Sequence, residues 1–287
     1  MKRFRARLNW FLLRGFLAAL GIASLQLTPA DELADKGREL LNKHQHAIVT
    51  VQIVLKMRFS LPGMSSQANE YKQDLTGTVI DPSGLTVLAL STCEPSELIQ
   101  NMMSGMSEDD SKSMVNSELS DIKLLREDGN EVPADIVLRD KDLDLAFIRP
   151  KTRPSTPMAA LDLSQAGTAQ ILDQVISLNR LGEAAGRSYA ASVERVSAIA
   201  RKPRLFYLPS GDSSVTMGAP VFTADGKVLG VFVMRSINRK SSFMDMLSSR
   251  SDALTPIILP GADILKAARQ APEAKPEAQK TEPAPTK

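Results

Sequence analysis

Val215 to Arg235 reads V-T-M-G-A-P-V-F-T-A-D-G-K-V-L-G-V-F-V-M-R, a Gly-Ala-Pro turn followed by two apolar segments around an Asp-Gly pair. The segments Pro220 to Thr223 and Lys227 to Met234 are predicted strands, rich in Val and Phe. Asp225-Gly226 between them tolerates the positive φ angles of a tight hairpin turn. The stretch therefore predicts a β-hairpin entered through a sharp turn.

Outward from this hairpin the same rhythm recurs. Upstream, Gln174 to Asn179, Ser192 to Ala200 and Leu205 to Leu208 are predicted strands, as are Asp121 to Leu125, Asp135 to Arg139 and Leu145 to Arg149 around a turn at Asp128-Gly129. Earlier still, Ala47 to Met57 alternates in Val and Ile, and Leu75 to Ile80 leads through the turn Asp81-Pro82-Ser83-Gly84 into Leu85 to Leu90. Downstream, Thr255 to Pro260 is a last strand and Ala262 to Gln270 a helix; Asp31 to Lys43 is a short helix at the other end, with acidic residues first. Short strands separated by regular turn signals predict an all-β sandwich or barrel, not alternating β and α units. Residues 94–120, rich in Ser, Met and acidic groups, break the rhythm and predict a surface insertion with a short helix over Ser96 to Met106.

The ends differ in composition from the middle. Four basic residues, Lys2, Arg3, Arg5 and Arg7, precede an apolar run from Phe16 to Leu27 and the small residues around Thr28-Pro29-Ala30. This is the pattern of a secretory leader over residues 1–30, and it predicts export to the periplasm or beyond. An uncleaved anchor is disfavoured because Arg14 interrupts a run that would have to reach ~20 residues. Removing the leader takes five basic residues and no acidic ones, so the formal charge falls from +2 to −3, which gives no electrostatic case for nucleic acid. Residues 271–287 form a Pro/Ala/Glu/Lys tail too poor in apolar groups to offset ordering entropy. Cys93 is the only cysteine, so no intrachain disulfide forms and packing must supply stability.

Three blocks now stand in a telling order. Thr76 to Ser91 reads T-G-T-V-I-D-P-S-G-L-T-V-L-A-L-S, Asp128 to Ile148 reads D-G-N-E-V-P-A-D-I-V-L-R-D-K-D-L-D-L-A-F-I, and the hairpin follows. They resemble, in sequence and order, the three conserved blocks of HtrA/Deg-like, trypsin-like serine peptidases; Ser192 to Ile199 and Thr255 to Leu265 are similar to further segments of that family. The resemblance spans about residues 40–270. It implies two six-stranded antiparallel β-barrels with short N- and C-terminal helices, forming one domain over residues 31–270. It also places the catalytic histidine at Ser91, the aspartate at Asp144 and the nucleophilic serine at Met217.

Peptide hydrolysis in this fold needs a hydroxyl nucleophile, an imidazole to take its proton and a carboxylate to orient the imidazole. A serine in place of the base and a thioether in place of the nucleophile cannot perform those roles. The oxyanion-hole donors implied by the resemblance are the backbone N–H groups of Met217 and Val215, and a β-branched residue at the second position restricts the backbone there. Asp144 is left to hydrogen-bond Ser91. The expected function is therefore that of an exported pseudopeptidase, which takes an extended peptide or protein segment in the cleft by strand addition along Val231, Phe232, Val233 and Met234. No cofactor is implied, and no metal ligand set.

The alternative is an active serine endopeptidase with a displaced nucleophile. Gly211-Asp212-Ser213 spells an active-site tripeptide but stands four residues too early, so Ser213 or Ser214 would need a rebuilt loop and a base such as Lys202 or Lys227. A polar loop is the simpler reading. Met102, Met103, Met106 and Met114 are soft ligands for Cu(I), yet without a sustained Met-x-x-Met series they read as a flexible apolar face. Cys93 reads as a small core residue close to the cleft. His44 and His46, the only histidines, fall where the resemblance begins the first barrel, away from the cleft.

Overall fold

The computed structural model describes residues 29–59, 67–96, 115–126, 129–211, 215–236 and 254–273. A helix α1 (Pro29–His44) leads into six strands: β1 (Ile48–Phe59), β2 (Gln67–Asp81), β3 (Leu85–Ala89), β4 (Val115–Leu125), β5 (Glu131–Asp140) and β6 (Leu145–Pro150). Directly after β3 the chain turns into a short helix, α2 (Leu90–Cys93). Six more strands follow: β7 (Gln174–Arg180), β8 (Tyr189–Ala200), β9 (Phe206–Pro209), β10 (Pro220–Thr223), β11 (Val228–Ser236) and β12 (Leu254–Pro260), then helix α3 (Gly261–Ala268).

Each set of six closes on itself as an antiparallel barrel, in the order β1-β2-β3-β6-β5-β4 and β10-β11-β12-β9-β8-β7. Alternation along the strands explains the closure. Val49, Val51, Ile53 and Leu55 of β1 all point into the first core, beside Val79, Leu88, Leu124 and Ile148. Val175, Val196, Val221, Leu229, Phe232 and Ile258 fill the second. Closure leaves no long edge exposed, and two compact cores replace one large one. The sequence predicts this architecture, and ten of the twelve strands lie within about four residues of their expected bounds.

The exceptions are β2, which begins at Gln67 instead of Leu75 and pairs with β1 along that whole extension, and β4. The sequence places residues 115–120 in the insertion, but they extend β4 and pair with β1, from Phe59↔Val115 to Leu55↔Leu119. The sequence V-N-S-E-L-S hides this because only one face meets apolar neighbours at the barrel's end: Leu119 packs on the core while Glu118 and Ser120 are exposed. The break in rhythm is thus confined to residues 94–114, and the helix expected over Ser96 to Met106 lies, beyond its first residue, outside the described residues.

The organising hairpin is built with a three-residue loop. Only Gly226 takes a positive φ, +85°, while the Gly226 N–H donates to Thr223 O at 2.8 Å and the Thr223 N–H to Lys227 O at 2.9 Å. This is a turn closed by a glycine bulge, in which Gly226 takes the positive φ and Asp225 does not. On the far side, Pro256 and Pro260 of β12 face Met234 and Gly230. Phe232 sends its own N–H and C=O away from β12, and by alternation so do Gly230 and Met234, so no N–H is required of either proline.

Cys93 is fully buried in the first core, and burial pushes its thiol up to about 12. Its Sγ donates weakly to Ala89 O at 3.5 Å. Iodoacetamide at mild alkaline pH is therefore expected to leave native protein unmodified and to label Cys93 fully in urea; quantitative labelling of the native state by mass spectrometry would show this packing to be wrong. Among the described residues no helix is long and apolar enough to cross a membrane. Residues 1–28 of the expected leader lie outside them, and Pro29 and Ala30 begin α1.

Candidate functional site at the seam between the barrels

Asp144 closes the turn between β5 and β6, with φ +56°. It meets Ser91 because β3 and β6 are neighbours: Ala89 pairs with Leu145, and the Leu90 N–H donates to Asp144 O at 2.9 Å. The chain then turns into α2, whose second residue is Ser91. Its backbone N–H donates to Asp144 Oδ1 at 2.6 Å and its hydroxyl to Oδ2 at 3.0 Å. A third donor comes from the other barrel, the Met234 N–H, at 2.7 Å from Oδ2. One carboxylate thus joins the end of β3, the β5–β6 turn and strand β11.

Burial pushes the Asp144 carboxyl up to about 6, against the opposing pull of the Met234 and Ser91 donors. A carboxyl whose folded pKa exceeds its unfolded value makes the native state bind the extra proton, so stability is highest below about pH 4 and declines as pH rises through about 6. Comparing urea midpoints of the parent and Asp144→Asn, the parent is expected to lose about 2–3 kcal/mol relative to the variant between pH 4 and pH 7. A constant difference across that range would contradict the assignment.

The turn before β10 faces this carboxylate's barrel. Gly218 has φ +84°, its N–H donates to Phe232 O at 2.8 Å, and its carbonyl accepts the buried Thr78 hydroxyl at 2.8 Å across the barrel interface. Thr216 is held by Asn179, whose Nδ2 donates to Thr216 Oγ1 at 3.1 Å, and the Ala219 N–H returns to Thr216 O at 3.1 Å. Met217, half-buried, stands between these anchors. Val215 turns its side chain onto the second core.

No imidazole joins Asp144. His44 stacks on Phe222, with ring centroids 5.2 Å apart, and burial lowers its pKa. His46 is exposed at the start of β1 and lines a cavity away from the carboxylate's three donors. Lys227 is ion-paired with Asp225 at 2.8 Å at the hairpin tip, and Lys202 is exposed. Ser213, Ser214 and Met102, Met103, Met106 and Met114 lie outside the described residues.

Most backbone groups along the expected edge, Val231 to Met234, already have partners within the chain. Val231 pairs on both sides, with Pro220 and with Leu259, and Phe232 exchanges both backbone groups with the Gly218 turn, its N–H donating to Ala219 O at 3.0 Å. Val233 points its backbone toward β12 by alternation, and the Met234 N–H is held by Asp144. The outward groups of β11 beyond β10 are therefore the carbonyl of Met234 and the N–H and C=O of Ser236. Sequence could not show this, since the occupancy of Phe232 depends on where a turn fourteen residues earlier lies.

Comparisons with known proteins agree with this geometry at the level of fold. Residues 76–231 match the sequence pattern of a family described as trypsin-like peptidase domain. A search of curated proteins finds no match. Among solved structures the chain is similar to an HtrA-type protease, AlgW, in a serine-to-alanine variant with a decapeptide: TM-score 0.52, 14% identity, over 81% of this chain and 65% of that one. The chain thus spans a little under two thirds of that relative, and at this identity the likeness is one of fold.

Proposed function

This chain belongs to the trypsin-like peptidase domain family, and from that premise we propose that it is an exported member which binds an extended peptide or protein segment between its barrels without hydrolysing it. The observation that carries this reading is the closure of Asp144 on Ser91 and Met234. A carboxylate that would orient a base is spent on a hydroxyl and two backbone amides, and the chain's two imidazoles are engaged elsewhere. Without a proton acceptor a serine hydroxyl or a methionine thioether makes no acyl intermediate. Strand addition needs only free backbone groups, and those at Met234 and Ser236 are oriented to provide them. That a related fold was solved with a decapeptide is consistent with this use of the cleft.

Two measurements test it on the protein lacking residues 1–30. A serine-reactive phosphonate is expected to leave Ser91, Ser213 and Ser214 unlabelled and casein uncut; labelling of any of them together with cleavage would instead establish the displaced-nucleophile enzyme. Binding of an extended peptide pool, followed by fluorescence anisotropy, is expected to weaken at least tenfold in Ser236→Pro, which removes an outward N–H. Unchanged binding in that variant would remove β11 from the site.

A further inference from the structure

We propose that the cavity lined by His46, formed where β1 and β4 of the first barrel meet the β7–β8 hairpin of the second, binds a small carboxylate with an apolar body, anchored by Arg180. This inference is independent of peptide binding at β11. The cavity holds about 270 Å³, and its walls include Leu125, Met158 and Tyr189 with Arg126 and His46 toward solvent. Among the described residues no aspartate or glutamate lines it.

Arg180 is half-buried and held rigidly. Its Nε donates to Arg187 O at 3.1 Å, its Nη1 to Leu125 O at 3.3 Å, and its guanidinium lies over the Tyr189 ring at 5.1 Å from the centroid. Two of five donors are thereby used, and the plane of the fork is fixed. Yet no described carboxylate is ion-paired with it. Arg187, seven residues on in the same hairpin, shows the contrast: it takes Asp74 at 2.7 Å and Glu183 at 3.4 Å. Among the described residues two counter-ions serve the one arginine and none the other, which faces a cavity.

A partly desolvated guanidinium without a counter-ion favours an entering anion, and its planar fork matches a carboxylate's two oxygens. The apolar walls select the rest of the ligand: an aliphatic acid or a blocked amino acid fits the volume and the lining better than a multiply charged phosphate. Arg126 adds a second positive charge at the mouth.

Calorimetric titration of the full chain with N-acetylleucine, N-acetylleucinamide and inorganic phosphate decides it. The acid is expected to bind at millimolar concentration or below, at least tenfold tighter than the amide and than phosphate, and to weaken at least tenfold in Arg180→Gln. Met158→Trp keeps the guanidinium and fills the cavity, so it should abolish binding even if Arg180→Gln does not fold. Equal affinity for acid and amide, stronger binding of phosphate, no saturation at millimolar acid, or acid binding that survives Met158→Trp would each overturn the proposal.

Discussion

Gly218→Ala is expected to cost about 3–5 kcal/mol of stability, and a comparable loss is not expected from alanine at any solvent-facing glycine of positive φ. Two terms add at this position. The backbone there has φ +84°, which an L side chain adopts at a cost of about 1–2 kcal/mol. A Cβ would also stand 2.2 Å from Thr76 O, a backbone atom that cannot swing away. The turn would have to retreat from the first barrel, breaking the Thr78 hydroxyl bond to Gly218 O. Gly129 is the internal control: its φ is +79°, but nothing lies within 4 Å of the added methyl, so only the first term applies. Urea melts should therefore separate the two variants by about 2–4 kcal/mol, roughly 5–15 °C in Tm for a domain of this size. Equal losses would mean that the Gly218 turn does not press on Thr76.

The second large effect concerns chemistry. The double variant Ser91→His, Met217→Ser is expected to hydrolyse casein no faster than the parent, whereas adding Val215→Gly to it should raise the rate ~10²–10³-fold. Asp144 is placed to orient an imidazole at position 91, because the backbone donor from residue 91 remains and Oδ2 would exchange a hydroxyl for a ring N–H. The obstacle is at residue 215. Its side chain is packed on the second core, so the core and not the cleft dictates the backbone from which an oxyanion donor would have to project. Freeing that backbone removes apolar contacts, and the triple variant is expected to be less stable than the double by about 1–2 kcal/mol. Rapid hydrolysis by the double variant alone would refute this account of Val215.

Much of this was legible in residues 1–287 alone because barrels write themselves in period two. Alternation in β1 and turns such as Asp-Pro-Ser-Gly and Asp-Gly gave the strands, and the family resemblance of three blocks implied their grouping into two barrels. The reading failed where a segment carries one apolar contact, as in residues 115–120, and where a backbone group's partner is remote. Val231 and Phe232 look like an open edge in sequence; in the fold the turn at Gly218 occupies them.

The sequence by itself determined which chemical groups exist: two histidines, one thiol, a serine and a methionine at the positions that matter, and the alternation that closes each barrel. Only the tertiary structure decided what those groups meet, since hydrogen bonds between residues 144 and 234, or 78 and 218, join segments on different barrels. Side-chain type is local, but the partner of a buried carboxylate or a lone guanidinium is fixed by which strands the closing barrels bring together.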